Sequence, residues 1–95
     1  MPLVMELLTQ EQVAAELDAT PGWSQDGKSI VTVVTREDFR DALLFVNAVG
    51  YLAEAANHHP DIKVQWNKVT LELSTHSAGG LTANDFALAR RISAL

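Results

Sequence analysis

The chain of 95 residues contains no cysteine. That excludes disulfides, zinc–thiolate centres and thiol catalysis. It has no basic excess either: seven Lys and Arg stand against twelve Asp and Glu, a formal net charge of −5. So acidic a chain lacks the positive footprint that drives nucleic-acid binding, and the nearest approach to a basic cluster is the pair Arg90-Arg91. No apolar run approaches the length of a membrane span, and the opening MPLVMELL is too short and too acidic for a signal peptide. These absences predict a cytoplasmic protein that binds neither nucleic acid nor membrane. What remains, 47% hydrophobic and 20% charged residues, is an ordinary globular composition with length for one domain over 1–95.

One local pattern occurs three times: Leu8-Thr9-x-x-Gln12-Val13, Val34-Thr35-x-x-Asp38-Phe39 and Leu81-Thr82-x-x-Asp85-Phe86. In each, a Thr hydroxyl can accept a free N–H of a first helical turn while the residue three positions on reaches back to the cap. Helix starts are therefore predicted near residues 9, 35 and 82. Pro21-Gly22 ends the first helix. Asp26-Gly27 and the β-branched run from Ile30 to Val34 predict a hairpin. The second helix is expected from about Thr35 to Asn57, since Pro60 biases His59 away from helical geometry. DIKVQW and KVTLELSTH then alternate apolar and polar residues about Asn67-Lys68, which predicts a second hairpin, with His76 ending its last strand. Gly79-Gly80 breaks the chain before the third helix. The order is α-β-β-α-β-β-α, an α+β fold with one four-stranded antiparallel sheet and three helices on one face.

The second helix is apolar most of the way round. Phe39, Leu43, Val46, Gly50 and Ala53 form one stripe, and Leu44, Phe45, Ala48, Leu52 and Ala55 much of another. Such a helix expects burial on both sides, which predicts self-association through it, with Gly50 permitting close approach. Trp23 and Trp66 are expected as core residues or pocket walls.

Histidine is scarce, with three in the chain. His58 and His59 are adjacent in NHHPD, and His76 follows after one hairpin, a connection that can return it to the pair. Imidazole exchanges protons near neutrality, and a reaction that removes one proton and donates another wants two such groups around a small substrate. Glu54, four residues before His58, shares its helix face if the helix extends that far, and is expected to orient that ring. Helix-end roles at the negative dipole terminus compete for His58 and His59, and Asp85 is already accounted for as a capping residue. A three-histidine metal site is disfavoured: adjacent histidines splay apart, and neither H-x-H nor H-x-x-x-H spacing occurs.

The joint spacing of Glu54, His58-His59-Pro60, Trp66, His76 and Asp85, with the stretches NHHPD, NKVTLELSTH and GLTANDFALA, resembles the signature of the pterin-4a-carbinolamine dehydratases. The signature covers 54–85, and the Leu-Thr helix start and Gly22-Trp23 agree with it in layout. The resemblance implies the fold derived above. It implies homodimers joined at sheet edges and homotetramers built through the long helix. It also implies an activity without metal or organic cofactor: dehydration of 4a-hydroxytetrahydropterins, made by aromatic amino acid hydroxylases, to quinonoid dihydropterins, in support of tetrahydrobiopterin recycling. By resemblance His58, His59 and His76 carry the chemistry, Pro60, Thr75, Ser77 and Ala78 line the pterin site with them, and Glu54 and Asp85 support it. His59 and His76 are preferred on the transferred protons, with His58 binding and orienting; acid and base stay unassigned, as does the identity of the reduced pterin. Ser77 departs from relatives with an acidic residue there. Some members of the family have lost histidines and serve as assembly modules, and in animals the fold doubles as a dimerisation partner of a homeodomain transcription factor. A non-catalytic binding module is therefore the alternative.

Overall fold

The computed structural model describes residues 6–95. Residues 1–5, on which most of the signal-peptide reading falls, lie outside the described residues. The elements are α1 (Gln10–Asp18), β1 (Ser24–Asp26), β2 (Ser29–Thr35), α2 (Phe39–Ala56), β3 (Asp61–Gln65), β4 (Lys68–Leu73), a 3-10 turn (His76–Ala78) and α3 (Ala83–Ser93). The four strands form one antiparallel sheet in the order β1-β2-β4-β3. The α+β fold and element order are those the sequence predicts.

Alternation along the strands decides which face the helices cover. Ile30 in β2 and Val69, Leu71 and Leu73 in β4 are fully buried, whereas between them Val33 is 58% exposed. Onto the buried face pack Val13 of α1, Ala42, Phe45 and Val49 of α2, and Phe86, Leu88, Ala89 and Ile92 of α3, in one cluster. Trp23 is buried as expected, with its indole N–H donating to Ser93 Oγ at 3.0 Å. Trp66 is not: it is 65% exposed. The second hairpin turns on Trp66-Asn67 rather than Asn67-Lys68, and Trp66 takes the left-handed conformation with φ 50°. Its side chain is thereby carried off the strand pleat.

Two of the three expected helix caps form. Thr9 and Gln12 bond reciprocally at the start of α1, and Thr82 and Asp85 do so at α3. Thr35 does not cap α2. It is the last residue of β2, paired with Lys68, so its backbone is committed to the sheet. Asp38 caps instead, accepting from Asp41 N at 2.8 Å. Asp41 in turn accepts from Glu37 N and takes a bidentate pair from Arg36, Nε and Nη2 at 3.0 and 3.1 Å. The Arg36 guanidinium also lies 5.0 Å from the centre of the Phe45 ring, so the end of β2 is tied to the first turns of α2.

The buried face of α2 is Ala42, Phe45, Val49 and Ala53; Ala53 and Phe45 come one from each stripe read in the sequence, and Ala42 and Val49 belong to neither. Phe39, Leu43, Leu44 and Tyr51 remain exposed. A Cβ at Gly50 would meet nothing within 4 Å. Val46, Asn47, Gly50, Tyr51, Glu54 and Ile62 line an open groove there of about 380 Å³.

The Arg36–Asp41 pair generates a pH-dependent prediction. The Arg36 hydrogen bond, then the Glu37 N–H, hold the Asp41 carboxyl below its ordinary value of 3.8. A carboxyl depressed in the folded state contributes stability above its unfolded pKa, and that contribution is lost as pH falls through the folded one. Asp41→Asn therefore lowers the denaturant midpoint at neutral pH. The gap to the wild type narrows as pH falls below the ordinary Asp range. A gap that stays constant into that range contradicts the assignment.

Candidate active site

The helix carrying the first histidines ends earlier than the proline requires. Asn57 adopts φ 49°, ψ 44°, and its N–H bonds Ala53 O and Glu54 O. His58 N–H bonds back to Ala53 O at 3.1 Å. This is a Schellman cap with Asn at the left-handed position. It closes α2 at Ala56 and sends His58 and His59 away from the helix in different directions.

That turn reassigns the carboxylates. Glu54 does not hold His58; its Oε2 lies 2.5 Å from His59 Nε2. His58 Nε2 lies 2.6 Å from Asp85 Oδ1. The expected i,i+4 pairing assumes that the helix continues through His58, and the left-handed residue at 57 removes that condition. The two pairs differ in environment. The side chains of His58 and Asp85 are 11% and 0% exposed, whereas those of His59 and Glu54 are 58% and 77% exposed.

Asp85 is the junction of the buried part. Its Oδ2 accepts from Thr75 Oγ1 at 2.8 Å and from Thr82 N at 2.9 Å. Thr75 Oγ1 also lies 2.8 Å from Thr82 Oγ1, which accepts from Asn84 N at 3.3 Å. The residue read in the sequence as a helix cap is thus at once that cap and the partner of a histidine. Thr82, unremarked as a site residue, belongs to the same cluster. Nothing in a Thr-x-x-Asp pattern distinguishes an ordinary capping box from one whose second carboxylate oxygen reaches a ring just beyond the end of another helix.

His76 stands one residue after Thr75 and does not end a strand. β4 stops at Leu73, Thr75 makes an isolated bridge with Gly80, and His76 opens the 3-10 turn. Thr75 O accepts from Ala78 N, Gly79 N and Gly80 N, while Thr75 N donates to Gly80 O. Gly79 at φ 79° lets the loop close. Thr75 is 5% exposed, with its backbone and its hydroxyl all bonded internally. His76 and Ser77 are exposed and Ala78 half-buried on the loop it holds. In the β3–β4 register Asp61 faces Glu72, so the exposed His59 and the half-buried Pro60 sit at the same end of that hairpin as the loop. Among the described residues the His76 ring makes no hydrogen bond, and no group of three or more His, Asp or Glu is placed to hold a metal ion. Trp66 lies at the opposite end of the hairpin.

The arrangement offers three imidazoles, two of them oriented by carboxylates and one on a glycine-closed loop. That set can accept and donate protons around a small molecule. Glu54→Gln shifts the imidazole resonances of His59 and leaves those of His58 in place. The reverse pattern in a two-dimensional NMR spectrum contradicts the pairing seen here.

Residues 6–95 match the model of the family described as Pterin 4 alpha carbinolamine dehydratase. The chain is 47% identical over 93 residues to a Nocardia farcinica protein named "Putative pterin-4-alpha-carbinolamine dehydratase", covering 98% of each. Among solved structures, the chain resembles the transcriptional coactivator/pterin dehydratase from Brucella melitensis, with a TM-score of 0.88, 31% identity, and coverage of 92% of this chain and 95% of that one. A pterin dehydratase-like protein identified as a RuBisCO assembly factor in the alpha-carboxysome shares the fold at a TM-score of 0.65 and 22% identity, over 77% of this chain and 87% of that one.

Proposed function

This chain belongs to the Pterin 4 alpha carbinolamine dehydratase family, and from that premise we propose that it is a catalytic member, a hydro-lyase acting on 4a-hydroxytetrahydropterins as a single domain. The observation that carries this reading is the pair of carboxylate-held histidines, His58 on Asp85 and His59 on Glu54. The reaction is an elimination. The C4a–O bond breaks and the oxygen leaves as water with one added proton. The adjacent ring nitrogen gives up its own proton, and the freed electron pair forms the new C=N bond. One proton is delivered and one removed, so the site returns to its starting charge. No redox step is involved, and the reaction consumes no co-reactant.

His58, His59 and His76 carry these transfers. The exposed His59–Glu54 pair exchanges protons with bulk water and suits delivery to the leaving hydroxyl. Pro60, His76, Ser77 and Ala78 line the substrate site, and the product enters tetrahydrobiopterin recycling. Thr75 shapes the site by holding the 76–80 loop rather than by offering a free group. The alternative is a non-catalytic assembly module. The fold shared with the carboxysome assembly factor extends only to architecture, and retention of all three histidines favours the enzyme.

The exposed side chains of α2, Phe39, Leu43, Leu44 and Tyr51, and the outer edge of β3, unpaired among the described residues, support a homodimer or homotetramer. The cytoplasm is the proposed location. No helix among the described residues is long and apolar enough to cross a membrane.

Two measurements test this reading. Purified protein accelerates the loss of 4a-hydroxytetrahydropterin, followed in the ultraviolet, above the spontaneous rate. His59→Ala and His76→Ala each lose on the order of 100-fold or more while keeping the folded circular dichroism signal. Absence of acceleration by the wild type overturns the enzyme. Wild-type rates in both variants overturn the residue assignment. Separately, light scattering on a sizing column gives a mass at least double the 10.3 kDa of one chain; a monomer mass refutes the assembly.

A further inference from the structure

The buried hydrogen bonds around Asp85 run in one direction only. The Thr75 hydroxyl has a single proton and sits 2.8 Å from both Asp85 Oδ2 and Thr82 Oγ1. A carboxylate oxygen that also takes the Thr82 N–H has no proton to offer, so Thr75 must donate to Asp85. It then has only a lone pair for Thr82, and the Thr82 hydroxyl must donate to Thr75. Thr82 Oγ1 completes its set by accepting the Asn84 N–H at 3.3 Å. Every proton in the cluster is thereby placed by counting donors and acceptors.

The count reaches His58. Asp85 Oδ2 is saturated by two donors, and Oδ1 faces only His58 Nε2 at 2.6 Å. Between a carboxylate and an imidazole the proton rests on the stronger base, the ring. Nε2 therefore carries a hydrogen in both the neutral and the charged ring. The other nitrogen, Nδ1, has no hydrogen-bond partner among the described residues. No buried side-chain nitrogen or oxygen of a partly buried residue lacks a partner there, so Nδ1 reaches the surface.

We infer that Asp85, locked by the ordered hydroxyls of Thr75 and Thr82, fixes His58 as the Nε2–H tautomer and makes Nδ1 the proton acceptor of the elimination. The inference rests on the proposed dehydratase reading for its chemistry, and it gives His58 a larger part than binding and orientation. The ring-nitrogen proton of the substrate passes to Nδ1 as the new C=N bond forms. The resulting imidazolium lies against the Asp85 carboxylate, which offsets its charge in a site with little water. Asp85, Thr75 and Thr82 are positioning residues that act through His58. The N-terminal cap of α3 thus sets which atom of a histidine on another element is available for reaction.

The substitution Asp85→Asn tests this directly. The carboxamide oxygen stays at the Oδ2 position, because the Thr75 hydroxyl and the Thr82 N–H both require an acceptor there. The cap of α3 is preserved, and the amide NH2 is forced to face His58 Nε2. Nε2 must then accept, and the proton of the neutral ring moves to Nδ1. In the serine-protease triad the corresponding Asp→Asn change imposes the wrong tautomer and costs about 10⁴ in kcat.

Long-range 1H–15N correlation spectra of the uniformly labelled full chain, recorded with the rings neutral, read the tautomer of each histidine. Wild-type His58 shows Nε2–H, and Asp85→Asn shows Nδ1–H with kcat reduced by about 100-fold or more. A wild-type His58 ring protonated at Nδ1 overturns the inference, and that measurement needs no variant to fold. Retention of Nε2–H in Asp85→Asn overturns it as well, as does a switched tautomer with an unchanged rate. A wild-type protein with the expected tautomer and no dehydratase activity instead defeats the proposed reaction, so the two failures are distinct.

Discussion

Asp85 is a carboxylate without contact with water, in a chain small enough that one uncompensated buried charge would consume much of its stability. What makes it tolerable is that both oxygens are filled: one by the Thr75 hydroxyl and the Thr82 N–H, the other by His58. These partners come from the loop after β4, the cap of α3 and the exit of α2. The charge therefore works as a clasp, because satisfying it requires those three segments to meet. The loop that presents His76 begins at Thr75, whose carbonyl gathers the N–H groups of Ala78, Gly79 and Gly80. The same residue that satisfies the carboxylate therefore anchors the third histidine.

The two histidine–carboxylate pairs divide along solvent exposure. Glu54 and His59 lie in water, where an ion pair has little energetic value but can exchange protons freely. His58 and Asp85 lie out of water, where a hydrogen bond to a charged group is strong and its loss expensive. In the proposed elimination, which must both remove and deliver a proton, such a division gives a buried ring and a solvent-facing ring different parts. Neighbouring residues reach such different surroundings because the Schellman turn at Asn57 separates them within one peptide unit.

Much of the fold is legible in the sequence, for reasons that lie in local physics. Asp26-Gly27 and the β-branched run after it leave little but a hairpin, and Pro21-Gly22 little but a helix end. The errors have local causes too. Thr35-x-x-Asp38 and Asp38-x-x-Asp41 are overlapping capping patterns, and only the sheet register, which claims Thr35 for a pair with Lys68, chooses between them. Pro60 marks the latest residue at which α2 could stop; it says nothing about a left-handed Asn three positions earlier. The exposure of Trp66 depends on which turn residue takes positive φ, and alternation along a strand does not encode that.

The site shows the same boundary more sharply. Residue types and spacing single out His58, His59 and His76, with Glu54, as candidates, and the family signature adds Asp85. The pairing within the set was not legible, because it turns on one backbone conformation. With α2 continued through His58, Glu54 would reach that ring and Asp85 would keep a buried oxygen without a partner. With the left-handed turn at Asn57, His58 fills that position and Glu54 falls to His59. A helix terminus thus decides which carboxylate meets which imidazole, and the buried charge of Asp85 favours the turn that supplies its missing donor.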